Sequence, residues 1–264
     1  MNMYVRNIRK SILDMMYRSK SSHIGSCFSI VEILYTLYFK VLNIQGSTYK
    51  LEAKDKFILS KAHGSAALYA TLAERGFFSK ERLREYYVDG GSLPGHLDML
   101  SVPGVEVSAG SLGHGLSIGT GIAIAKKQEC KSEHVYVLLG DGECNEGSVW
   151  EAAMLAAHLQ LTNLTAIVDY NKFQGFGKTN EVINQRNLNE RWLAFGWEVI
   201  EVDGHNIEKL EEALKAVQKG PKVLIAHTIK GKGVSFMENK LEWHYKSPND
   251  QEYLLALKEM EDML

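Results

Sequence analysis

Short apolar runs alternate with helix-like segments through the second half of this chain, and this alternation constrains the fold more than any other feature. The runs are mostly continuous and lack polar–apolar alternation, which is typical of parallel strands that are buried on both faces. Strands are predicted at Lys56–Leu59, Val135–Leu139, Leu164–Asp169, Glu198–Val202 and Val223–His227. The pattern predicts a doubly wound α/β fold, with a mainly parallel sheet and helices on both faces.

Helices are predicted before and between these strands. Residues 1–20 place apolar side chains at helical spacing among charges, and Gly76 is expected to end a helix. The glycine-rich stretch between residues 89 and 121 has no long apolar run, which predicts an ordered loop that serves binding. The other predicted helices cover Ile30–Val41, Ser65–Gly76, Leu116–Lys127, Ser148–Leu159, Leu188–Phe195 and Ile207–Val217.

Composition and charge exclude several classes of function. The 264 residues are 45% hydrophobic, which is enough apolar material for one domain spanning residues 1–264. A net charge of −2 offers no basic surface for nucleic acid or an anionic membrane, and the apolar runs are too short to cross a membrane. Cys27, Cys130 and Cys144 form no C-x-x-C pair, so we expect neither a disulfide framework nor a zinc site, and we expect a cytoplasmic protein.

Polar side chains follow two of the predicted strands. Asp141 lies between two glycines after one strand, and Asn171 follows the next strand, 171 − 141 = 30 residues later. Because parallel strands end at the same edge of a sheet, these two side chains can meet over one ligand. Carboxylate and amide oxygens suit Mg²⁺ or Ca²⁺. Gly142 is expected to leave its backbone N–H uncovered ahead of a helix, where a diphosphate could bind.

These motifs and their neighbours resemble those of transketolase. The Gly-Asp-Gly sequence followed thirty residues later by Asn is similar to the thiamine diphosphate motif of that family. Six further blocks follow the family's order, namely SSHIGSCFSIVEIL, LSKAHGSAALYA, LPGHLDM, AGSLGHGLSIGTG, VDGHN and HTIKGKGVSFMENKLEWH. The resemblance covers nearly the whole chain and implies the thiamin diphosphate-binding fold, in its N-terminal, diphosphate-binding section.

The resemblance implies a role for each matching residue. The metal ligands would be Asp141, Asn171 and the backbone carbonyl of Phe173. The cofactor-binding residues would be His63, Gly110, Leu112, Gly113, Asp141, Gly142, Glu143, Asn171 and His244. The catalytic residues would be His23, His96, His244 and Glu146, with His23 and His96 facing the hydroxyls of the sugar donor. Glu146 and Glu151 match an acidic pair that links two cofactor sites across an interface.

Two positions depart from the family pattern, and other histidines have no role in it. His114 replaces a common Gln in the cofactor loop, and Tyr245 replaces a common Gly, which would narrow the substrate channel near His244. His134, His158 and His205 are expected to be structural.

The resemblance also implies a partner and a reaction. In transketolases a second domain holds the pyrimidine ring of the cofactor, and this chain stops at Leu264 before pyrimidine-binding and C-terminal domains could follow. We therefore expect a separate C-terminal transketolase subunit in an α₂β₂ assembly. The expected reaction transfers a two-carbon ketol unit from a ketose, expected to be phosphorylated, to an aldose. Most sugar-phosphate contacts of the family lie in the second half, so this sequence does not specify the sugars.

Several alternatives remain at the level of the sequence. Another thiamine diphosphate enzyme, such as a 2-oxoacid dehydrogenase α subunit or a deoxyxylulose-phosphate synthase, would share the metal motif but lack the four histidines. A cofactor-binding subunit without catalysis would resemble the same family. A serine hydrolase is suggested by Ala109–Gly113, which approaches G-x-S-x-G, but it would leave the metal pair unexplained. A dinucleotide fingerprint fails because no third glycine follows Gly121 at the required spacing.

Overall fold

A five-stranded parallel sheet forms the centre of the computed structural model, which describes residues 2–48 and 50–262. The strands are β1 Ile44–Ser47, β2 Lys50–Ala53, β3 Lys56–Leu59, β4 Val135–Gly140, β5 Leu164–Tyr170, β6 Glu198–Asp203 and β7 Lys222–His227. The central sheet has the order β3-β4-β5-β7-β6 and every neighbouring pair in it is parallel. The predicted α/β fold with a parallel sheet is confirmed.

Helices connect the strands and cover the sheet. They are α1 Met3–Ser19, α2 Ile24–Phe28, α3 Val31–Thr36, α4 Ser65–Arg75, α5 His114–Gln128, α6 Gly147–His158, α7 Thr179–Val182, α8 Leu188–Ala194, α9 Ile207–Lys215 and α10 Asp250–Asp262. Gly76 ends α4 with φ of 94°, a left-handed conformation that glycine adopts without strain, as predicted. The helix predicted at Ile30–Val41 begins one residue later and ends in a wider π turn over Leu37–Val41.

Along the strands of the central sheet, alternate side chains pack into two separate hydrophobic cores. In β4, Tyr136 and Leu138 pack on the face covered by α1, α3, α4 and α9. Val135, Val137 and Leu139 pack on the opposite face, which α5, α6 and α8 cover. Because both faces are buried, most positions in these strands are apolar, and the buried polar exceptions Thr165, Asp169 and Lys222 all form hydrogen bonds.

The sequence did not predict the hairpin formed by β1 and β2, nor the helices α2, α7 and α10. β1 and β2 form an antiparallel hairpin in a largely polar segment that lacks a clear strand pattern. Helix α10 packs against α1, where the rings of Tyr17 and Tyr253 stack at 4.1 Å and Tyr253 Oη donates to Asp14 at 2.6 Å. Among the described residues, no helix is both long and apolar enough to cross a membrane.

The topology brings the functional motifs to one edge. β3, β4, β5 and β7 lie side by side, so their carboxyl ends present consecutive loops along the same edge of the sheet. These loops carry Lys61, Asp141, Asn171 and Thr228, one from each strand end. Ligands of open parallel sheets bind beyond this edge.

Candidate active site

A cavity of about 480 Å³ lies beyond the carboxyl ends of the central strands. It gathers residues from segments that are up to about 220 positions apart in the sequence, from His23 to His244. All of the predicted catalytic, cofactor-binding and metal-binding residues line it except Gly113: His23, His63, His96, Gly110, Leu112, Asp141, Gly142, Glu143, Glu146, Asn171, Phe173 and His244.

Asp141 is a buried acidic group that lines this cavity, with 2% of its surface exposed. Its Oδ1 accepts from Gly142 N at 2.8 Å, and its Oδ2 accepts from Lys172 N and Thr179 Oγ1, each at 2.8 Å. Burial, followed by the nearby charge of Asp169, raises the pKa of Asp141 to about 6. A carboxylate whose charge is this poorly solvated would be stabilised by a cation in the cavity.

Asn171 and Phe173 supply neutral oxygens beside Asp141. The Oδ1 of Asn171 accepts from Phe173 N at 3.0 Å, and both residues line the cavity. Among residues 2–48 and 50–262, no cluster of three or more His, Cys, Asp or Glu side chains could hold a metal. A cation here would therefore be bound by one carboxylate together with amide and carbonyl oxygens, which is a donor set that fits Mg²⁺.

The backbone N–H of Gly142 is not uncovered, contrary to the prediction. It donates to the side chain of Asp141, and a Cβ placed on Gly142 would lie 2.8 Å from Gln174 Cγ. Gln174 therefore lies across this part of the cavity wall. Its buried Nε2 has no hydrogen-bond partner within the described part of the chain, so it is an amide donor left for a ligand.

Four histidines converge on the other side of the cavity. The ring centroid of His23 lies 5.2 Å from that of His63, 6.1 Å from that of His96 and 5.0 Å from that of His244. Burial lowers the pKa of His23 to about 4, that of His244 to about 3, and that of His63 well below its usual value. These three rings are therefore neutral near pH 7 and can accept or donate hydrogen bonds.

The backbone at His23 holds this cluster in place. His23 has φ of 81°, a left-handed conformation that is uncommon for a residue with a side chain. Its N–H donates to the carbonyl of His244 at 2.9 Å, and its carbonyl accepts from Cys27 N at 3.0 Å. The start of α2 is thereby tied to the segment that carries His244, which fixes two of the four rings relative to each other.

Two buried lysines lie beneath the histidines, and no prediction from the sequence included them. Lys230 Nζ lies 3.0 Å from His244 Nδ1 and donates to Ser26 Oγ at 3.1 Å. Burial, with the charge of Lys61, lowers the pKa of Lys230 to about 8. Since an ammonium group can only donate, His244 accepts at Nδ1 and carries its proton on Nε2.

Lys61 is equally buried and pairs with Asp169. Its Nζ lies 2.5 Å from Asp169 Oδ2 and donates to the carbonyl of Ser26 at 3.1 Å. Both lysines lie inside family-like motifs, LSKAHGS and TIKGKG, directly after predicted strands. In the sequence, a lysine shortly after a predicted buried strand was the signal that could have predicted a charged group at the sheet edge.

Glu143 lines the cavity, but its carboxylate is occupied by hydrogen bonds to the supporting loops, among them one from the Gly113 N–H. The Glu143 carboxylate accepts from Gly113 N at 2.8 Å, from Gly140 N at 3.0 Å and from Ser60 Oγ. Burial raises the pKa of Glu143. Because its oxygens and the Gly113 N–H bond to each other, neither is open to a ligand, and their predicted contacts with a cofactor remain predictions. Their joint effect is to fix the loop that presents Leu112.

The remaining predicted positions lie at the rim. Glu146 is exposed where it lines the cavity, and Glu151 is exposed on α6. Tyr245 is 60% exposed, and its Oη would lie 2.6 Å from a Cβ on Gly175, so it crowds the turn opposite His244. His114 lines a neighbouring cavity of about 420 Å³.

Two of the histidines expected to be structural have internal partners. His205 Nδ1 lies 3.0 Å from Glu32 Oε2, and its Nε2 accepts from Ile229 N at 2.8 Å. His134 Nε2 lies 2.8 Å from Thr165 Oγ1. Neither ring lines the cavity, as expected.

Comparison with known proteins shows what this fold and site are similar to. The family model described as the thiamine diphosphate binding domain of transketolase matches residues 1–260. An apulose-4-phosphate transketolase subunit of Phocaeicola vulgatus is 40% identical over 97% of this chain and 92% of its own length. The 6-deoxy-6-sulfo-D-fructose transketolase subunit SqwG of a Clostridium species is 39% identical over 96% of this chain and 94% of its own length.

Solved structures agree with the sequence comparison. The crystal structure of transketolase from Campylobacter jejuni matches with a TM-score of 0.88 at 26% identity. The match covers 99% of this chain but 43% of that transketolase, so the chain spans about two fifths of its length.

Proposed function

We propose, since this chain belongs to the transketolase family and matches its thiamine diphosphate-binding domain, that it is the N-terminal subunit of a split transketolase. The proposed reaction transfers a two-carbon ketol unit from a ketose, which we propose is phosphorylated, to an aldose. Relatives named as transketolase subunits match this chain over at least 92% of their own length, which supports a separate subunit rather than a fused enzyme. Residues 1–264 would form one diphosphate-binding domain.

The single observation that carries the proposal is the shared cavity. Four histidines line the same space as Asp141 and Asn171, so hydroxyl-binding imidazoles face the predicted cation and diphosphate site. The metal motif alone would fit other thiamine diphosphate enzymes, whereas the four-histidine set was the feature expected to distinguish a transketolase from them. The arrangement therefore favours a polyhydroxylated donor.

Asp141, Asn171 and the carbonyl of Phe173 would bind Mg²⁺, with Ca²⁺ as the alternative. When bound, thiamine diphosphate supplies the reactive carbon and the electron sink for the two-carbon transfer. This chain would hold the diphosphate end against the cation, and the free amide donor of Gln174 lies within reach of the same wall.

The neutral histidines would divide their work by position. His63 and His244 would flank the diphosphate side. Because the Lys230 ammonium lies at Nδ1 of His244, the proton of that ring is on Nε2, the nitrogen farther from the ammonium. His23 and His96 would face the donor hydroxyls, where a neutral imidazole can accept a proton and return it. The contacts of these rings with one another, and of His244 with Lys230, hold the rings in place before substrate arrives, which reduces the entropy lost on binding.

We propose that a C-terminal transketolase subunit with the pyrimidine-binding domain completes the site, in a cytoplasmic α₂β₂ assembly. Glu146 is exposed at the edge of the cavity, and Glu151 is exposed one and a half turns further along the chain. Both positions are available for contact with another subunit, which is consistent with the predicted acidic pair at an interface.

The test is reconstitution with the partner subunit. Transfer of a two-carbon unit from a ketose phosphate to an aldose phosphate is measured by mass spectrometry of the lengthened aldose, with Mg²⁺ and thiamine diphosphate present. We expect turnover at one-to-one stoichiometry and none from this chain alone. A chain that turns over by itself at ordinary rates would contradict the split assembly, and an assembly that binds the cofactor without transfer would contradict the reaction.

The histidine assignment is tested in the same assembly. His96→Ala should lower kcat/KM by roughly ten-fold to ten-thousand-fold with unchanged cofactor affinity, because its proposed contact is with substrate. His63→Ala should weaken cofactor binding as well. His227→Ala is the matched control, since this ring belongs to the last residue of strand β7 but pairs with Glu201 outside the cavity. Equal loss of cofactor in both site variants would refute the division of roles.

A further inference from the structure

Asp169 is a fully buried carboxylate two residues before the predicted metal ligand Asn171, and the function proposed above gives it no role. It is not among the residues that line the cavity. Its Oδ2 accepts from Lys61 Nζ at 2.5 Å, from Ser29 Oγ at 2.7 Å and from Asn171 Nδ2 at 2.9 Å. Its Oδ1 accepts from Thr228 Oγ1. The carboxylate is therefore saturated with donors from four different segments.

The bond from Asn171 determines which end of that amide faces the cavity. A side-chain amide has a carbonyl oxygen that can bind a cation and an NH₂ group that cannot. With Nδ2 held by Asp169, Oδ1 is turned to the opposite side, where it accepts from Phe173 N at 3.0 Å. A flipped amide would place its oxygen against a carboxylate and its NH₂ against an N–H, so both hydrogen bonds would become repulsive contacts.

Asp169 can enforce this choice because it only accepts. Its Oδ2 pairs with the Lys61 ammonium, and its two oxygens also accept from the hydroxyls of Ser29 and Thr228, so no proton on the carboxylate is directed at Asn171. An ionised carboxylate has no proton to offer and pairs with an NH₂ group alone. A neutral amide at position 169 could rotate to offer either its oxygen or its NH₂ group. It would therefore be compatible with both orientations of the Asn171 amide.

We propose that Asp169 is a positioning residue that orients the Asn171 amide, so that its oxygen faces the cation bound by Asp141. The proposal rests on the proposed function, since it assumes a cation and diphosphate site in this cavity. Asp169 acts through Asn171 and does not touch the cation. Its effect is to prepare the neutral ligand of the site before metal arrives.

The first test is Asp169→Asn, which conserves shape but removes the acceptor-only group. In the assembled enzyme at saturating thiamine diphosphate, we expect the Mg²⁺ concentration for half-maximal cofactor binding to rise at least ten-fold. Binding is followed by calorimetry and by quenching of tryptophan fluorescence, independently of turnover. Asp203→Asn is the matched control, because Asp203 ends strand β6 of the same sheet, is exposed and accepts from the backbone of His205. This control should leave the Mg²⁺ midpoint unchanged.

The decisive variant exchanges the two residues, as Asp169→Asn with Asn171→Asp. The exchange conserves volume and an amide–carboxylate hydrogen bond, with the amide now donating toward a carboxylate that still presents an oxygen to the cation. It is made together with Lys61→Met, because the new NH₂ group at position 169 would otherwise face the Lys61 ammonium. We expect its Mg²⁺ midpoint to return to within about three-fold of the wild-type value. A folded exchange variant that has lost Mg²⁺ dependence would overturn the proposal, and so would an exchange variant that fails to fold.

The buried ion pair is the competing explanation for an effect of Asp169→Asn. Adding Lys61→Met removes the charge left without its partner. If that double variant regained the wild-type Mg²⁺ midpoint, charge balance rather than amide orientation would explain the loss, and the proposal would fail. An unchanged midpoint in the single variant would refute it directly. If the wild-type assembly showed no Mg²⁺-dependent cofactor binding, the proposed function itself would be wrong.

Discussion

Gly115 lies where the start of α5 passes against the end of β3, and Gly115→Ala should destabilise the whole edge that carries the cavity. A Cβ at this position would lie 2.9 Å from the backbone Cα of Ser60, and closer still to its side chain. The backbone atoms of Ser60 cannot move aside in the way that the end of a flexible side chain can. Ser60 Oγ also accepts from Gly115 N at 3.1 Å and donates to Glu143, so moving it breaks a buried network.

The magnitude follows from two costs. Overpacking of a well-packed site costs about 1–3 kcal/mol. Leaving the buried Glu143 carboxylate short of a donor costs about 1–3 kcal/mol more. A total of about 2–6 kcal/mol would lower Tm by roughly 4–24 °C in a chain of this size, at about 2–4 °C per kcal/mol. Differential scanning calorimetry and urea midpoints would measure it.

Gly121→Ala in the same helix is the control. In the part of the chain that the structure describes, no atom lies within 4 Å of a Cβ at Gly121, so only the helix propensity changes. Alanine should therefore stabilise α5 by about 0.5–1 kcal/mol. If the two variants had similar Tm values, the reasoning that close packing at Gly115 fixes the cavity edge would be refuted.

Two further predictions concern the cation and pH. Asp141→Ala should weaken thiamine diphosphate binding in the presence of Mg²⁺ by about thirty-fold to a thousand-fold, equivalent to roughly 2–4 kcal/mol. The circular dichroism spectrum should stay unchanged. An unchanged affinity in titration calorimetry would show that Asp141 is not part of the site. Burial, with the charge of Lys222, lowers the pKa of His134 to about 4. As the pH falls, the imidazole of His134 is therefore protonated in the unfolded chain, near pH 6.5, before it is protonated in the folded chain, near pH 4. The free energy of unfolding then decreases between these two pH values, by about 2 kcal/mol from pH 7 to pH 5. His134→Gln should flatten this part of the urea-midpoint profile, and an unchanged slope would contradict the assignment.

The parallel sheet could be predicted because burial on both faces imposes a pattern on consecutive residues. Every predicted strand of the central sheet is present, with its ends shifted by at most one residue. The hairpin β1–β2 has no such pattern because its residues are largely polar, and sequence reasoning missed it. Helix α10 depends on a long-range contact, the stacking of Tyr253 on Tyr17, which no local window contains.

Much of the candidate site could be predicted for a related reason. Residues at the carboxyl ends of neighbouring strands must meet at one edge, so the separation of Asp141 and Asn171 by one strand–helix–strand unit was sufficient to pair them. The histidines were named through the resemblance to transketolase, since nothing in local sequence places His23 and His244 near each other. Only in the folded chain does the backbone hydrogen bond from His23 N–H to the carbonyl of His244 bring those two residues together.

By itself, the sequence determined which residue types reach the sheet edge, because strand ends and polar residues are local properties. Only the tertiary structure decided what each polar atom does there. Gly142 was expected to offer its N–H to a ligand, but the folded Asp141 side chain accepts it. Glu143 turned inward to the loop of Gly113, and Asp169 lies where it can orient Asn171. Hydrogen bonds depend on direction and on atoms from distant segments, and the order of residues along a chain specifies neither.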